Sequence, residues 1–266
     1  MILTPHLFKK GVQNSKKRKN LLKNIIFSIT LLLFFTGCSK LNTTKVILPP
    51  SWIGMQKIAP NIYVDKDMNK TEQQRLIKII PEAKKYTADV WGELESQPTI
   101  YACSTKECSQ SLGIGDARAH QILNHLVLSP RGITKKTIAH EWSHAELYKK
   151  VDGYFNWTEI PMWFDEGVAV LVGHDPRNDK RAWEKIQNEN LQYPSIDELI
   201  TLKQWNQSTK KYNKNIDMND IVVTYAVAGH EINQWYKKVG TKGLNELIQK
   251  VKNGSSFKDA YEKGNK

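Results

Sequence analysis

Two histidines and a glutamate stand close together in IAHEWSHAEL, residues 138–147. If this segment is helical, His140 and His144 lie one turn apart on the same face, so both imidazoles can bind one metal ion. Glu141 is rotated by about 100° from His140, which places its carboxylate beside the ion rather than on it. A carboxylate in that place can take a proton from metal-bound water, which is the chemistry of the H-E-x-x-H pattern.

A third ligand would complete such a site, and Glu166 in PMWFDEGVAVLV is the best candidate. A His₂Glu set leaves one position open for water, as a catalytic zinc requires. Asp165 is next to Glu166 but about 100° around the helix, so only one of them can face the ion, and Asp165 better suits a supporting or solvent-facing role. Other histidines are weaker candidates: His120 and His125 are expected to be surface or core residues. His174 is expected to lie past the helix end, and His230-Glu231 fails as a second motif because position 234 is Gln.

The segments that must position these residues read as two helices. Thr134 can cap the first helix, with Ile133 and Ile138 at the two positions of a hydrophobic staple. The second helix is expected to start near Pro161. The segment between them, ELYKKVDGYFNWTEI, is long enough to turn the chain back antiparallel.

Strand patterns precede these helices and helical patterns follow them. Helical spacing predicts a helix over 71–95, kinked or divided at Pro81. Residues 98–103 and 124–129 read as strands, with a loop at 111–119 between them. From residue 179 the pattern is mostly helical, with a long helix at about 220–238 and two shorter ones after it. We therefore predict the α+β class, with a small mixed β-sheet lobe followed by a helical C-terminal lobe.

HEWSH followed by WFDEGVAV resembles the gluzincin metallopeptidases, specifically the peptidase MA-like group. The resemblance covers roughly residues 97–262. It implies a zincin-like fold with the active-site helix between the two lobes, one Zn²⁺ per chain and Glu166 as the third ligand. It also implies that ILNHLVLSP is the edge strand of the sheet and that TYAVAGHEINQWYKKVG is the family's tyrosine-bearing helix.

The predicted function is zinc-dependent hydrolysis of a peptide or protein substrate, with Glu141 as general base. Tyr225 and His230 are the candidate donors to the oxyanion. They are five residues apart, so their directions on a helix differ by about 140° and only one can face the metal. Tyr225 is favoured, although packing against Ile232 and Tyr236 explains it equally well.

Two other functions stay open. One is a cell-envelope lipoprotein that binds zinc without catalysis, and the other is an amidase acting on cell-wall or other amide bonds. The strand at 124–129 is expected to bind an extended substrate by strand addition.

The net charge of +12 belongs largely to the first 37 residues, which hold seven of the 39 basic residues and no acidic one. The remaining 32 basic residues face 27 acidic ones, so no nucleic-acid partner is predicted.

The basic stretch, the apolar run Ile25–Phe35 and FFTGC resemble a bacterial lipoprotein signal. We therefore predict a signal peptide at 1–37, lipid on Cys38, a tether at 38–50 and a metallopeptidase domain at 51–266. Ser39 favours the outer membrane, facing the periplasm or the cell surface.

Cys103 and Cys108 lie five residues apart in YACSTKEC. An exported domain occupies an oxidising compartment, so the two cysteines are predicted to form a local disulfide. The sequence indicates no oligomeric state.

Overall fold

The computed structural model describes residues 43–264, and within them the chain has an α+β fold. A five-stranded sheet occupies the N-terminal part and helices make up the C-terminal part, which confirms the predicted class. The predicted signal peptide at 1–37 and the predicted lipidation site Cys38 lie outside the described residues. Within the described residues, no helix is long and apolar enough to cross a membrane.

The sheet is mixed, with the strand order β1-β2-β3-β5-β4. The strands are β1 Met55–Ala59, β2 Ile62–Asp65, β3 Thr99–Ala102, β4 Ala119–Ile122 and β5 His125–Leu128. The pairs β1/β2 and β4/β5 are antiparallel, whereas β2/β3 and β3/β5 are parallel. The expectation that 124–129 forms the edge strand was wrong: β5 lies between β3 and β4, and β4 forms the edge.

Nine α-helices follow or interrupt the strands of the described chain. They are α1 Lys70–Trp91, α2 Lys106–Ser111, α3 Lys135–Lys150, α4 Tyr154–Trp157, α5 Met162–Gly173, α6 Lys180–Asn188, α7 Leu202–Tyr212, α8 Val223–Lys252 and α9 Phe257–Gly264. Helix α1 is not divided at Pro81, which lies on an exposed face where water can reach the carbonyl group that proline leaves unpaired. Helix α8 changes direction at Gly240, whose φ of 62° is not helical, so it consists of two helical segments.

Helix α3 lies between the sheet and the helical half of the molecule. It packs against β4 and β5 on one side and against α1 and α5 on the other. Ile138, Ala139 and Leu147 of this helix are fully buried in the main core. The helix that carries both histidines is thus enclosed on most of its circumference.

Beyond β3 the chain turns into α2, and a disulfide joins Cys103 to Cys108 across this turn. Cys103 is buried in a second, smaller core on the far face of the sheet, together with Tyr101 and Val127. Val46 packs into the same small core, so the described end of the predicted tether lies against the folded domain.

Candidate metal centre

Three ligand atoms from α3 and α5 converge on one point. The Nε2 atoms of His140 and His144 are 3.3 Å apart, and Glu166 Oε2 lies 3.4 Å from the first and 3.5 Å from the second. In a tetrahedral zinc site with ligand distances of about 2.0–2.1 Å, two ligand atoms are separated by about 3.3–3.4 Å. Glu166 Oε2 is buried and has no hydrogen-bond partner among the described residues. The donor set and its spacing therefore fit a bound metal ion.

Local sequence explains why the two helices bring these atoms together. The Thr134 side chain accepts a hydrogen bond from the Thr137 backbone N–H at 3.1 Å, which starts α3 as predicted. Gly173 lies where α5 passes α3: a Cβ atom there would stand 3.0 Å from Lys136 O and 3.1 Å from the His140 Cβ. The absence of a side chain at Gly173 lets α5 approach the helix that carries the histidines.

Asp165 holds the His144 ring in place. Its Oδ1 lies 2.6 Å from His144 Nδ1, and its Oδ2 accepts a hydrogen bond from Trp157 Nε1 at 3.0 Å. Asp165 accepts the Nδ1 proton of His144, so Nε2 is the nitrogen that is left to bind a metal ion, which would take the place of a proton there. Burial lowers the pKa of His144, but the charges of Asp165 and Glu166 outweigh burial and raise this pKa well above its ordinary value.

Glu141 is buried, with 8% of its surface exposed, and it lines one cavity together with the three candidate ligands. It follows His140 directly on α3, and the two residues line the same two cavities. Glu141 therefore borders both cavities, which are described below, and a ligand could reach the candidate metal centre from either of them.

Of the two candidate oxyanion donors, the structure brings only Tyr225 to this centre. Its ring lies 6.0 Å from the His140 ring and edge-on to Trp205 at 5.0 Å. Burial, followed by the charges of Glu166 and Glu141, raises the pKa of Tyr225 well above 10, so the phenol keeps its proton.

His230 lies elsewhere, away from the three candidate ligands. Its ring stacks on Trp183 with centroids 4.0 Å apart, and it lines a separate cavity of about 480 Å³ that includes none of the three ligands. The spacing of five residues on α8 turns Tyr225 and His230 in different directions, as the helix geometry requires.

Two cavities meet at the metal centre. The first, of about 470 Å³, is called the basic cavity here because four cationic side chains line it: Arg118, Arg131, Lys136 and Arg177. The second, of about 600 Å³, is called the apolar cavity, and its apolar lining comprises Tyr154, Trp157, Ile160, Met162, Ile200 and Leu202. His140, Glu141 and Tyr225 line both cavities.

The other histidines of the described residues lie outside the ligand set. His120 lies on β4 and lines the apolar cavity, and His174 is the C-cap of α5. His125 lies on β5, where burial lowers its pKa. The arginines of the basic cavity were not foreseen, because they come from three distant parts of the chain and form no local pattern.

Comparison of the chain with known protein families, with curated proteins and with solved structures finds no match. The structure itself shows an α+β chain in which a His₂Glu cluster lies between a basic and an apolar cavity.

Proposed function

We propose that this chain is a zinc-dependent peptidase of the gluzincin type, with His140, His144 and Glu166 as the zinc ligands. The observation that carries the proposal is the spacing of the three ligand atoms, 3.3–3.5 Å, around a buried Glu166 oxygen that has no partner among the described residues. When bound, zinc would supply Lewis-acid polarisation of the scissile carbonyl and activation of a water molecule.

Glu141 acts as the general base in this proposal. It takes the proton of the attacking water and passes it to the departing amine, since both sites are within reach of a group at the junction of the two cavities. A site that served structure alone would have no need of this carboxylate. Its burial beside the ligands therefore favours catalysis over a zinc-binding protein without activity.

Tyr225 donates its phenolic hydrogen to the oxyanion that forms as water adds to the carbonyl. The raised pKa keeps the phenol protonated at neutral pH, as a donor must be. A fixed donor in a half-buried site stabilises developing negative charge more strongly than water does.

The free edge of β4, rather than β5, is the surface on which an extended peptide would pair. Arg118 O accepts a hydrogen bond from Ser129 N at 2.9 Å, so Arg118 directs its backbone groups toward the neighbouring strand. Backbone direction alternates along a strand, and Ala119 and Gln121 therefore direct theirs outward. Both residues also line the apolar cavity, which supports strand addition beside the metal centre.

We also propose that the protein is exported and attached to a membrane through lipid on Cys38. The disulfide between Cys103 and Cys108 supports export, since such bonds persist in oxidising compartments.

Two substitutions test the catalytic proposal. Glu166→Gln should lose most of its zinc, because a neutral amide is a poor ligand at a site built for a carboxylate. Glu141→Gln should keep about one zinc per chain and lose turnover by about 10²–10⁴-fold, the range for a general base. Metal analysis and digestion of a peptide library measure the two effects.

Glu107→Gln, an exposed change on α2, is the matched control and should alter neither quantity. Full zinc content together with full activity in Glu166→Gln would contradict the ligand assignment.

A further inference from the structure

Four cationic side chains line the basic cavity against three acidic ones, Asp116, Asp175 and Glu141. Its two aspartates are already paired: Asp175 binds Arg177 with Oδ2 and Nη2 2.6 Å apart, and Asp116 binds Lys106 at 2.8 Å. Arg131 and Lys136 donate to the carbonyl oxygens of Asp116 and His174, so neither has a carboxylate partner among the described residues.

Arg118 is the least satisfied of these cations. Its side chain makes no hydrogen bond and no ion pair within residues 43–264, although it is partly buried. Burial and the charge of Arg177 lower its pKa, and the charge of Asp175 opposes them only in part. Asp175 serves both Arg177 and Arg118, so an anion bound among these cations would relieve the repulsion that remains between them.

Asn178 gives an independent sign of a missing ligand in the same cavity. The residue is 6% exposed, it lines the cavity, and its Oδ1 is buried without a hydrogen-bond partner among the described residues. The unpartnered atom is an acceptor, so it can bind a backbone N–H of a peptide substrate. Buried amide oxygens are rarely left without a partner in folded proteins.

The direction of β4 assigns the two cavities to the two ends of a substrate. The chain passes from Arg118 at the basic cavity to His120 and Gln121 at the apolar cavity. A peptide paired antiparallel to β4 runs the opposite way, and antiparallel pairing is the more stable arrangement. The C-terminal part of such a peptide lies in the basic cavity and its N-terminal part in the apolar cavity.

We propose that the basic cavity binds a carboxylate on the C-terminal side of the bond to be cleaved, and that Arg118 is its main partner. The carboxylate is either the C-terminus of the peptide or the side chain of an aspartate or glutamate. A cavity of 470 Å³ is about 8 Å across, the length of about two extended residues, so the carboxylate lies within about two residues of the bond. This inference rests on the proposed peptidase function.

Four matched peptides test the inference and separate the two sources of the carboxylate. All four share an apolar N-terminal half, while the residue after the expected cleavage point is Glu or Gln and the C-terminus is free or amidated. Binding to the zinc-loaded full chain carrying Glu141→Gln is measured by fluorescence anisotropy, and wild-type kcat/KM is measured in parallel.

We expect the peptides with the preferred carboxylate to bind at least about tenfold more tightly than the peptide that has none, since charge-assisted bidentate contacts are strong. If the tighter binding follows the Glu side chain, the carboxylate is that of a side chain. If it follows the free C-terminus, the carboxylate is the terminal one. Arg118→Gln should abolish the preference, measured within that variant as the ratio of the dissociation constants of the uncharged and the charged peptide. Arg131→Gln, at an exposed position, should reduce the preference for the carboxylate. Lys180→Gln, in the separate cavity of His230, is the control and should leave this preference unchanged.

Equal binding of all four peptides, or a preference that survives both arginine substitutions, overturns the inference. If wild-type protein cleaves all four peptides equally, the peptidase proposal stands and the carboxylate site fails. If none is cleaved while binding still depends on the carboxylate and on Arg118, the site stands and the peptidase proposal fails.

Discussion

At the residue scale, the adjacent acids Asp165 and Glu166 serve opposite nitrogens of one imidazole. Glu166 Oε2 lies 3.5 Å from His144 Nε2, and Asp165 Oδ1 lies 2.6 Å from His144 Nδ1. Because neighbouring helix residues point about 100° apart, two consecutive carboxylates can reach both edges of the ring. The pair thereby fixes which nitrogen carries the proton and which one is free to bind metal.

The role of Tyr225 is tested by Tyr225→Phe, which removes one O–H group and little volume. We expect the catalytic rate to fall by about a hundredfold, the effect of losing one oxyanion donor, while zinc content and melting temperature stay near those of the wild type. Steady-state kinetics with metal analysis and thermal denaturation measures all three.

His230→Ala is the companion variant for Tyr225→Phe. Because His230 stacks on Trp183 in a separate cavity, its loss should change activity much less. A fully active Tyr225→Phe beside an inactive His230→Ala would reverse the two roles.

The sequence predicted which three residues lie close together in the candidate metal centre, because their spacing is local. His140 and His144 share one helical turn, and Glu166 follows within the next long helix. Arg118 and Asn178 could not be predicted in the same way, because they meet only after β4 and the segment between α5 and α6 have folded against α3.

At the element scale, the metal centre depends on how closely α5 packs against its neighbours. Gly167, next to the ligand Glu166, faces α8: a Cβ atom there would stand 2.5 Å from Ile232 Cγ1 and 2.6 Å from Ala228 O. The second contact is with backbone, which a change of rotamer cannot relieve. The two helices can therefore lie this close together only with glycine at position 167.

Gly167→Ala should therefore force α5 and α8 apart. We expect a loss of about 1–3 kcal/mol in the free energy of unfolding, the usual effect of overpacking, and weaker zinc binding because Glu166 moves with α5. Urea denaturation and zinc competition measure the two losses.

Gly115→Ala is the comparison variant for Gly167→Ala. Its φ of 55° makes alanine unfavourable there, but a Cβ atom would have no neighbour within 4 Å, so backbone strain is separated from packing. Unchanged stability and unchanged zinc affinity in Gly167→Ala would show that the helices can accommodate the added methyl group.

Helices were easier to predict than strand order. Thr134 and the pair Ile133 and Ile138 mark the start of α3 within a few residues, and the structure has the Thr134 cap. The strands are only four or five residues long, so β1, β2 and β4 left no clear pattern. Which strand lies at the edge depends on pairing between distant segments, and β5 was therefore taken for the edge strand.

At the scale of the whole molecule, α3 is also held on the side away from the metal centre. Glu146 is fully buried and accepts hydrogen bonds from the backbone N–H groups of Glu95 and Ser96, both at 2.9 Å. The Trp142 and Trp91 indoles donate to Ser96 and Ser143. These bonds tie α3 to the segment after α1 without any metal.

Removal of zinc should therefore lower stability without unfolding the protein. With free zinc at about 100 times its dissociation constant, bound metal contributes about 2.7 kcal/mol, which for a domain of this size raises the melting temperature by about 5–10 °C. Chelation should reverse this increase and leave the far-ultraviolet circular dichroism unchanged, because the main core and the Glu146 contacts are independent of the ligands.

In Glu166→Gln, chelation should shift the melting temperature little, since this variant has little zinc to lose. A wild-type protein that unfolds on chelation would mean that zinc holds the fold together, as it does in small zinc domains whose cores are insufficient. If chelation left the melting temperature of the wild-type protein unchanged, no metal would join α3 to α5.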